Sequence, residues 1–183
     1  MRLDLSGMLT HADTLAAIVI GALVATISGV LANQVEAHFR RRERERSAAL
    51  LFGEVFSTLK VILEGAEAAR RRGEPYGPVT RRVLHAARRE IDIYERNREA
   101  LTDLRDGRLR ADVHGLALRL AMPLDGVLDS LIADAPDDGQ VRDLAMEFLQ
   151  EGVERIPALT ARLARIARHS FDHYDDIPRP GSL

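Results

Sequence analysis

No cysteine occurs in this chain. Disulfides, thiolate metal sites and thiol catalysis are therefore excluded, and the composition fits a reducing compartment. Tryptophan is absent too, and aromatic residues make up only 4%. Stacking platforms for single-stranded nucleic acid need more of them. Lysine occurs once, at Lys60, so nearly all positive charge is arginine. The net charge of −2 shows no basic excess, so nucleic acid is not an expected partner. Glycine-rich phosphate loops, nucleophile elbows and coherent catalytic triads are missing as well. No catalytic residue, cofactor or metal is expected.

The most consequential absence is local. Between Asp13 and Glu36 there is no charged residue, and the segment reads TLAAIVIGALVATISGVLANQV. A helix needs about 20 mostly apolar residues to cross a bilayer core. A charge at mid-membrane costs roughly 2.5–3.5 kcal/mol on insertion scales, so a charge-free window of this length predicts a transmembrane helix over 14–35. Arg40, Arg41, Arg42, Arg44 and Arg46 follow almost at once. Positive residues stay cytoplasmic. The expected placement is single-pass in a bacterial inner membrane, with 1–13 outside and the rest in the cytosol. A cleaved signal peptide ending near Val30-Leu31-Ala32 is the rival reading. Against it stand an n-region in which Asp4 and Asp13 outnumber Arg2, and an apolar run longer than the usual 7–15 residues.

Beyond the span the pattern is helical throughout, with apolar positions recurring at three and four and no alternating β-branched runs. Ala48, Phe52, Val55, Leu59, Ile62, Ala66 and Ala69 keep an unbroken 4-3 spacing. A helix continuous from Thr14 to Arg72 would be about 88 Å long at 1.5 Å per residue. Gly73 to Pro78 is a turn. A second helix is expected from near Thr80, with Leu84, Ala87, Ile91, Tyr94 and Leu101 inward and Asp106-Gly107 closing it. A third carries Val113, Leu116, Leu120, Leu124, Val127 and Leu131, kinked at Pro123. Residues 135–139 form a loop. A fourth helix carries Val141, Leu144, Phe148, Leu149, Ile156, Leu159, Leu163 and Ile166, bent at Pro157. The expected fold is all-α: a transmembrane helix running on into a cytosolic four-helix bundle over 36–170, with an irregular tail over 171–183.

Several clusters invite a functional reading. Ala17, Gly21, Ala25 and Gly29 recur every fourth position and leave one face of the span nearly flat. Flat faces let helices pack closely in lipid, so a homo-oligomer is expected through this face, with Thr26 and Ser28 towards a possible channel. The five arginines set topology and contact anionic lipid headgroups, at about 1 kcal/mol each. In the tail, His169, Asp172, His173, Tyr174, Asp175 and Asp176 are of metal-ligand type, but chain ends are commonly polar and no distant partner is identifiable. An arginine followed by four to six residues and a histidine is the signature of HEPN ribonucleases. Arg108 with His114, Arg162 with His169 and Arg168 with His173 match it. Arginine is frequent enough here that such spacings arise by chance.

The layout from Leu15 to Arg46 and beyond, a single span, a basic stretch and a small helical bundle, resembles the membrane accessory proteins encoded beside type VI CRISPR ribonucleases. That resemblance implies self-association into a membrane pore or a membrane-perturbing effector in antiphage defence. The alternative is a membrane-tethered scaffold whose bundle binds a cytosolic protein.

The orientation is directly testable. A cysteine replacing Ser47 should resist a membrane-impermeant thiol reagent in intact cells, whereas one replacing Ser6 should react. The reverse labelling pattern contradicts the topology.

Overall fold

The computed structural model describes the backbone of residues 5–72, 75–133 and 139–171, and the side chains of residues 29, 31, 33–72, 75–131 and 139–171. Among these the regular elements are all helical: α1 (Leu5–Arg72), α2 (Pro78–Arg96), α3 (Gly107–Ala133) and α4 (Gly139–Ala167), with a short 3-10 segment (Arg98–Asp103) between α2 and α3. The chain divides into two compact units, Met1–Glu43 and Arg44–Leu183, and α1 contributes to both. In the first unit Arg40 pairs with Glu36 one turn earlier, an exposed i,i+4 pair. Leu31, Val35 and Phe39 are more than half exposed there.

The second unit is a helical bundle. Arg46 meets the end of α4 while Arg70 meets Asp143 at its start, so α1 and α4 run antiparallel. Tyr94 lies against His114 and Arg88 against Asp125, so α2 and α3 do the same. Asp112 pairs with Arg162 and Leu120 packs on Gly152, which makes α3 and α4 antiparallel too. One continuous core fills the centre, where Phe52, Phe56, Leu59, Leu84, Ile91, Leu120, Leu124, Leu149, Ile156 and Leu163 are under 2% exposed. Full burial of such a side chain stabilises by about 1.5–3 kcal/mol. The apolar stripes read from the sequence for the second and third helices are all in this core.

Local chemistry sets the helix boundaries. Pro78 stands in the first turn of α2, where its missing N–H costs nothing. At Asn97 the backbone turns to φ −105° and ψ 12°, and the side-chain amide donates to Ile93 O at 2.8 Å. The second helix therefore stops at Arg96, short of the expected 106, and Leu101 reaches the core from the 3-10 segment. Asp106 opens α3 and does not close α2. Its Oδ1 accepts from Arg108 N at 2.8 Å and Leu109 N at 3.2 Å, the geometry of an N-cap. α3 and α4 continue through Pro123 and Pro157. The α4 chain reverses at Arg168, a non-glycine residue at φ 51°, with His169 N donating back to Ala164 O.

The fourth helix departs most from expectation. Val141, Leu144 and Phe148 are 58%, 51% and 50% exposed. Leu149, Ile156, Leu159 and Leu163 face inward as expected, joined by Ala145, Met146, Gly152, Val153 and Ala167. Phe171, expected in an irregular tail, is buried against Gly53, where a Cβ would overlap its ring. The loop over 135–138 and the tail from 172 lie outside the described residues.

Gly152 is the tight point of the α3–α4 pair. A Cβ there would stand 2.6 Å from Leu120 Cδ2, and Leu120 is itself fully buried. Gly152→Ala should lower stability, because overpacking of about 1–3 kcal/mol exceeds the ~1 kcal/mol gained in helix propensity. Gly126→Ala, which meets nothing within 4 Å, should stabilise by up to ~1 kcal/mol. Urea unfolding of both variants checks the contrast.

Candidate functional site

The small-residue positions Ala17, Gly21, Ala25, Thr26 and Ser28 belong to α1, and their side chains lie outside the described residues. Gly29 is described and exposed, and a Cβ on it would meet nothing within 4 Å. Among the described residues no helix is long and apolar enough to cross a membrane. The side chains of 14–28 are not part of that set.

The five arginines divide by role. Arg41, Arg42 and Arg44 are exposed, and Arg40 is held by Glu36. Arg46 does something the sequence does not announce: its Nε donates to Ala167 O at 2.9 Å and satisfies a terminal carbonyl of α4. Beside it Glu45 accepts from Arg105 N at 3.1 Å and pairs with Arg105 Nε at 3.2 Å. Two successive residues thus fasten α1 to the end of α4 and to the segment preceding α3.

The arginine–histidine matches are not brought together as a site. Arg108 is exposed in the first turn of α3, whereas the His114 ring stacks on Tyr94. Six residues on a helix turn through about 600°, which sets the two on different faces. Tyr94 Oη and His114 Nδ1 are 2.8 Å apart, and burial pushes the Tyr94 phenol up. The neutral phenol can donate to Nδ1, which leaves the imidazole proton on Nε2. Arg162 is engaged by Asp112 and Asp106, the latter at 3.3 Å. The Asp106 carboxyl is held low first by the backbone N–H of Leu109, then by that of Arg108. His169 stands edge-on to Phe171 at 5.4 Å between ring centres. His173 and the tail residues Asp172, Tyr174, Asp175 and Asp176 lie outside the described residues. Among the described residues no group of three or more histidines and carboxylates could hold a metal ion.

What the structure does assemble is an apolar groove of about 470 Å³ between α3 and α4. Leu118, Met122 and Pro123 form one wall; Val141, Leu144 and Phe148 form the other; Arg119, Glu151 and Arg155 stand around it. Met122 is 73% exposed and Leu118 47%. Ligand and partner sites are concave and mostly apolar with a few polar groups at the edge, and this groove has that character. The signal was present in the sequence, since Val141, Leu144 and Phe148 repeat at 3-4 spacing, but it read as core. A second cleft, of about 440 Å³, lies between α1 and α4 and is lined by Ser57, Lys60, Thr160, Arg165 and His169.

At the other end of the bundle a polar cluster joins α1, the 75–77 turn and α4. Tyr76 Oη donates to Asp143 Oδ1 at 2.9 Å, and burial raises its phenol to about 12. The Arg142 guanidinium lies 5.5 Å from the Tyr76 ring centre. Glu67 accepts from Arg70 Nε and Arg71 Nε, both at 2.7 Å. The Arg70 hydrogen bond holds its carboxyl below the usual range, against the opposing effect of burial.

A lowered carboxyl pKa stabilises the fold above the unfolded value of about 4.3, and the contribution is lost as pH falls through the folded value. Glu67→Gln should therefore be less stable than wild type by up to ~1 kcal/mol at neutral pH, with the gap closing below about pH 4. Denaturant midpoints across that range measure it. Compared with known proteins, the chain matches no family, no curated protein and no solved structure.

Proposed function

We propose that this chain is a membrane-anchored protein-docking module. The charge-free segment over 14–35 holds it in a bacterial inner membrane. The bundle sits on the cytosolic side and binds another protein chain through the groove between α3 and α4. The observation that carries this reading is the groove itself, in which five large apolar side chains from two helices stay open on an otherwise well-packed bundle. Scattered exposed hydrophobics need no explanation, but a contiguous patch marks an interaction surface. Leu31, Val35 and Phe39, exposed on the first unit, are the side chains a lipid environment would cover. The chemistry-bearing groups described above are occupied: Arg162 by two aspartates and His114 by Tyr94.

Assembly into a pore or a membrane-perturbing effector in antiphage defence extends this reading. It is supported by the small-residue register of Ala17, Gly21, Ala25 and Gly29 and by the resemblance in layout to the type VI CRISPR accessory proteins. In both versions the bundle works through protein contacts.

A photo-reactive benzoyl-phenylalanine placed at Phe148 in cells should give a crosslinked species heavier than the 20.3 kDa chain. The same probe at Glu154, exposed on another face of α4, should not. Adding Met122→Glu should remove the adduct while leaving the helical circular dichroism intact. Irradiation that yields only uncrosslinked chain from position 148 contradicts the docking role.

A further inference from the structure

We propose that the occupant of the groove is the same groove of a second copy, so that two α3–α4 hairpins pack face to face about a two-fold axis. This rests on the docking reading above and names its partner. Three observations carry it.

The first is shape. Val141, Leu144 and Phe148 lie one above another on the outer face of α4, and Leu118 and Met122 do so on α3. Two ridges with a trough between them can seat a ridge of an identical copy in each trough. An antiparallel hairpin turned by a two-fold axis meets itself as another antiparallel pair, which is the isologous arrangement.

The second is area. Five half-exposed side chains of this size present on the order of 500 Å² of apolar surface, near the top of the range for a single monomer patch. A standard stable interface covers about 800 Å² per partner, of which roughly 60% is non-polar, or about 480 Å². The open apolar surface is thus what one side of a dimer requires.

The third is charge. Arg119 and Arg155 stand at one end of the groove, with Glu151 one turn before Arg155. Asp129, seven residues beyond Met122 on the same face of α3, is exposed towards the other end. A two-fold axis that crosses the helices at right angles reverses the hairpin's direction, whereas one parallel to them sets like ends together. The first arrangement brings the basic end of the groove in each copy to the acidic end in the other, twice per dimer, and charge favours it over the docking of like ends.

The native chain has no cysteine, so single cysteines report without background. The full chain in its own membranes would carry Met122→Cys, Phe148→Cys or, as an exposed control off the groove, Glu154→Cys. Under mild oxidation at least one of the two groove cysteines should give a disulfide-linked species of twice the chain mass. Its yield should be at least tenfold that of the control, because a disulfide forms only between Cα atoms about 4.4–6.8 Å apart. All three substitutions are at exposed positions and should leave the helical signal unchanged. If neither groove cysteine exceeds the control while the photo-reactive probe at 148 still gives an adduct, self-pairing is overturned and the groove serves a different protein. If both fail, the docking reading falls with it.

Discussion

Close contact between α3 and α4 at Gly152 sets the geometry of this bundle. Leu120 fills the space a side chain at 152 would need, so the two helices approach without an intervening methyl group. Interiors pack at near-crystalline density, and a helix pair held this tightly has little room to rotate. The inward faces of both helices are thereby fixed, and so are their outward ones. Leu118 and Met122 on one side, and Val141, Leu144 and Phe148 on the other, are carried to the outside by the same contact that buries Leu120, Leu149 and Ile156. The groove is a consequence of how the core closes.

Polar contacts fasten the ends of the frame. Glu45 and Arg46 join α1 to Arg105 and to the last carbonyl of α4, while Glu67, Arg70, Tyr76 and Asp143 join the other end. Arg88 ties α2 to α3 through Asp125, at 2.8 Å. Partly exposed pairs of this kind contribute little stability individually. Their value lies in register: each fixes how far one helix is slid along another, which the apolar core alone leaves softer.

The sequence carried the all-helical class, the four long helices among the described residues and the inward faces of α2 and α3, because those stripes are built from large residues at regular spacing. It misled over the first turns of α4 for a physical reason. That helix has two apolar faces, and the inner one uses Ala145 and Gly152, which register weakly as hydrophobic. The large residues Val141, Leu144 and Phe148 dominate the pattern and are exposed. Gly53 adds nothing to the apolar stripe of α1, yet its missing side chain admits Phe171 from far along the chain. Arg46 read as part of a basic stretch, and its partner carbonyl is 121 residues away. Long-range contacts of this sort leave no local trace. Asp106 and Asn97 show the converse limit: both carry ordinary boundary chemistry, but whether a residue opens one helix or closes another depends on its backbone angles.

The central claim is that the groove between α3 and α4 is covered by protein when the chain is at work. Hydroxyl-radical footprinting of the full chain, in its own membranes and after dilution into detergent as single chains, tests this most directly. Met122 is oxidised readily when solvent reaches it, and among the described residues of the isolated chain it is the most exposed of the large apolar side chains. The account predicts that Met122 and Phe148 are protected in the membrane and become reactive on dilution, with Phe52 and Phe56 protected in both. Full reactivity of Met122 in the membrane would contradict it.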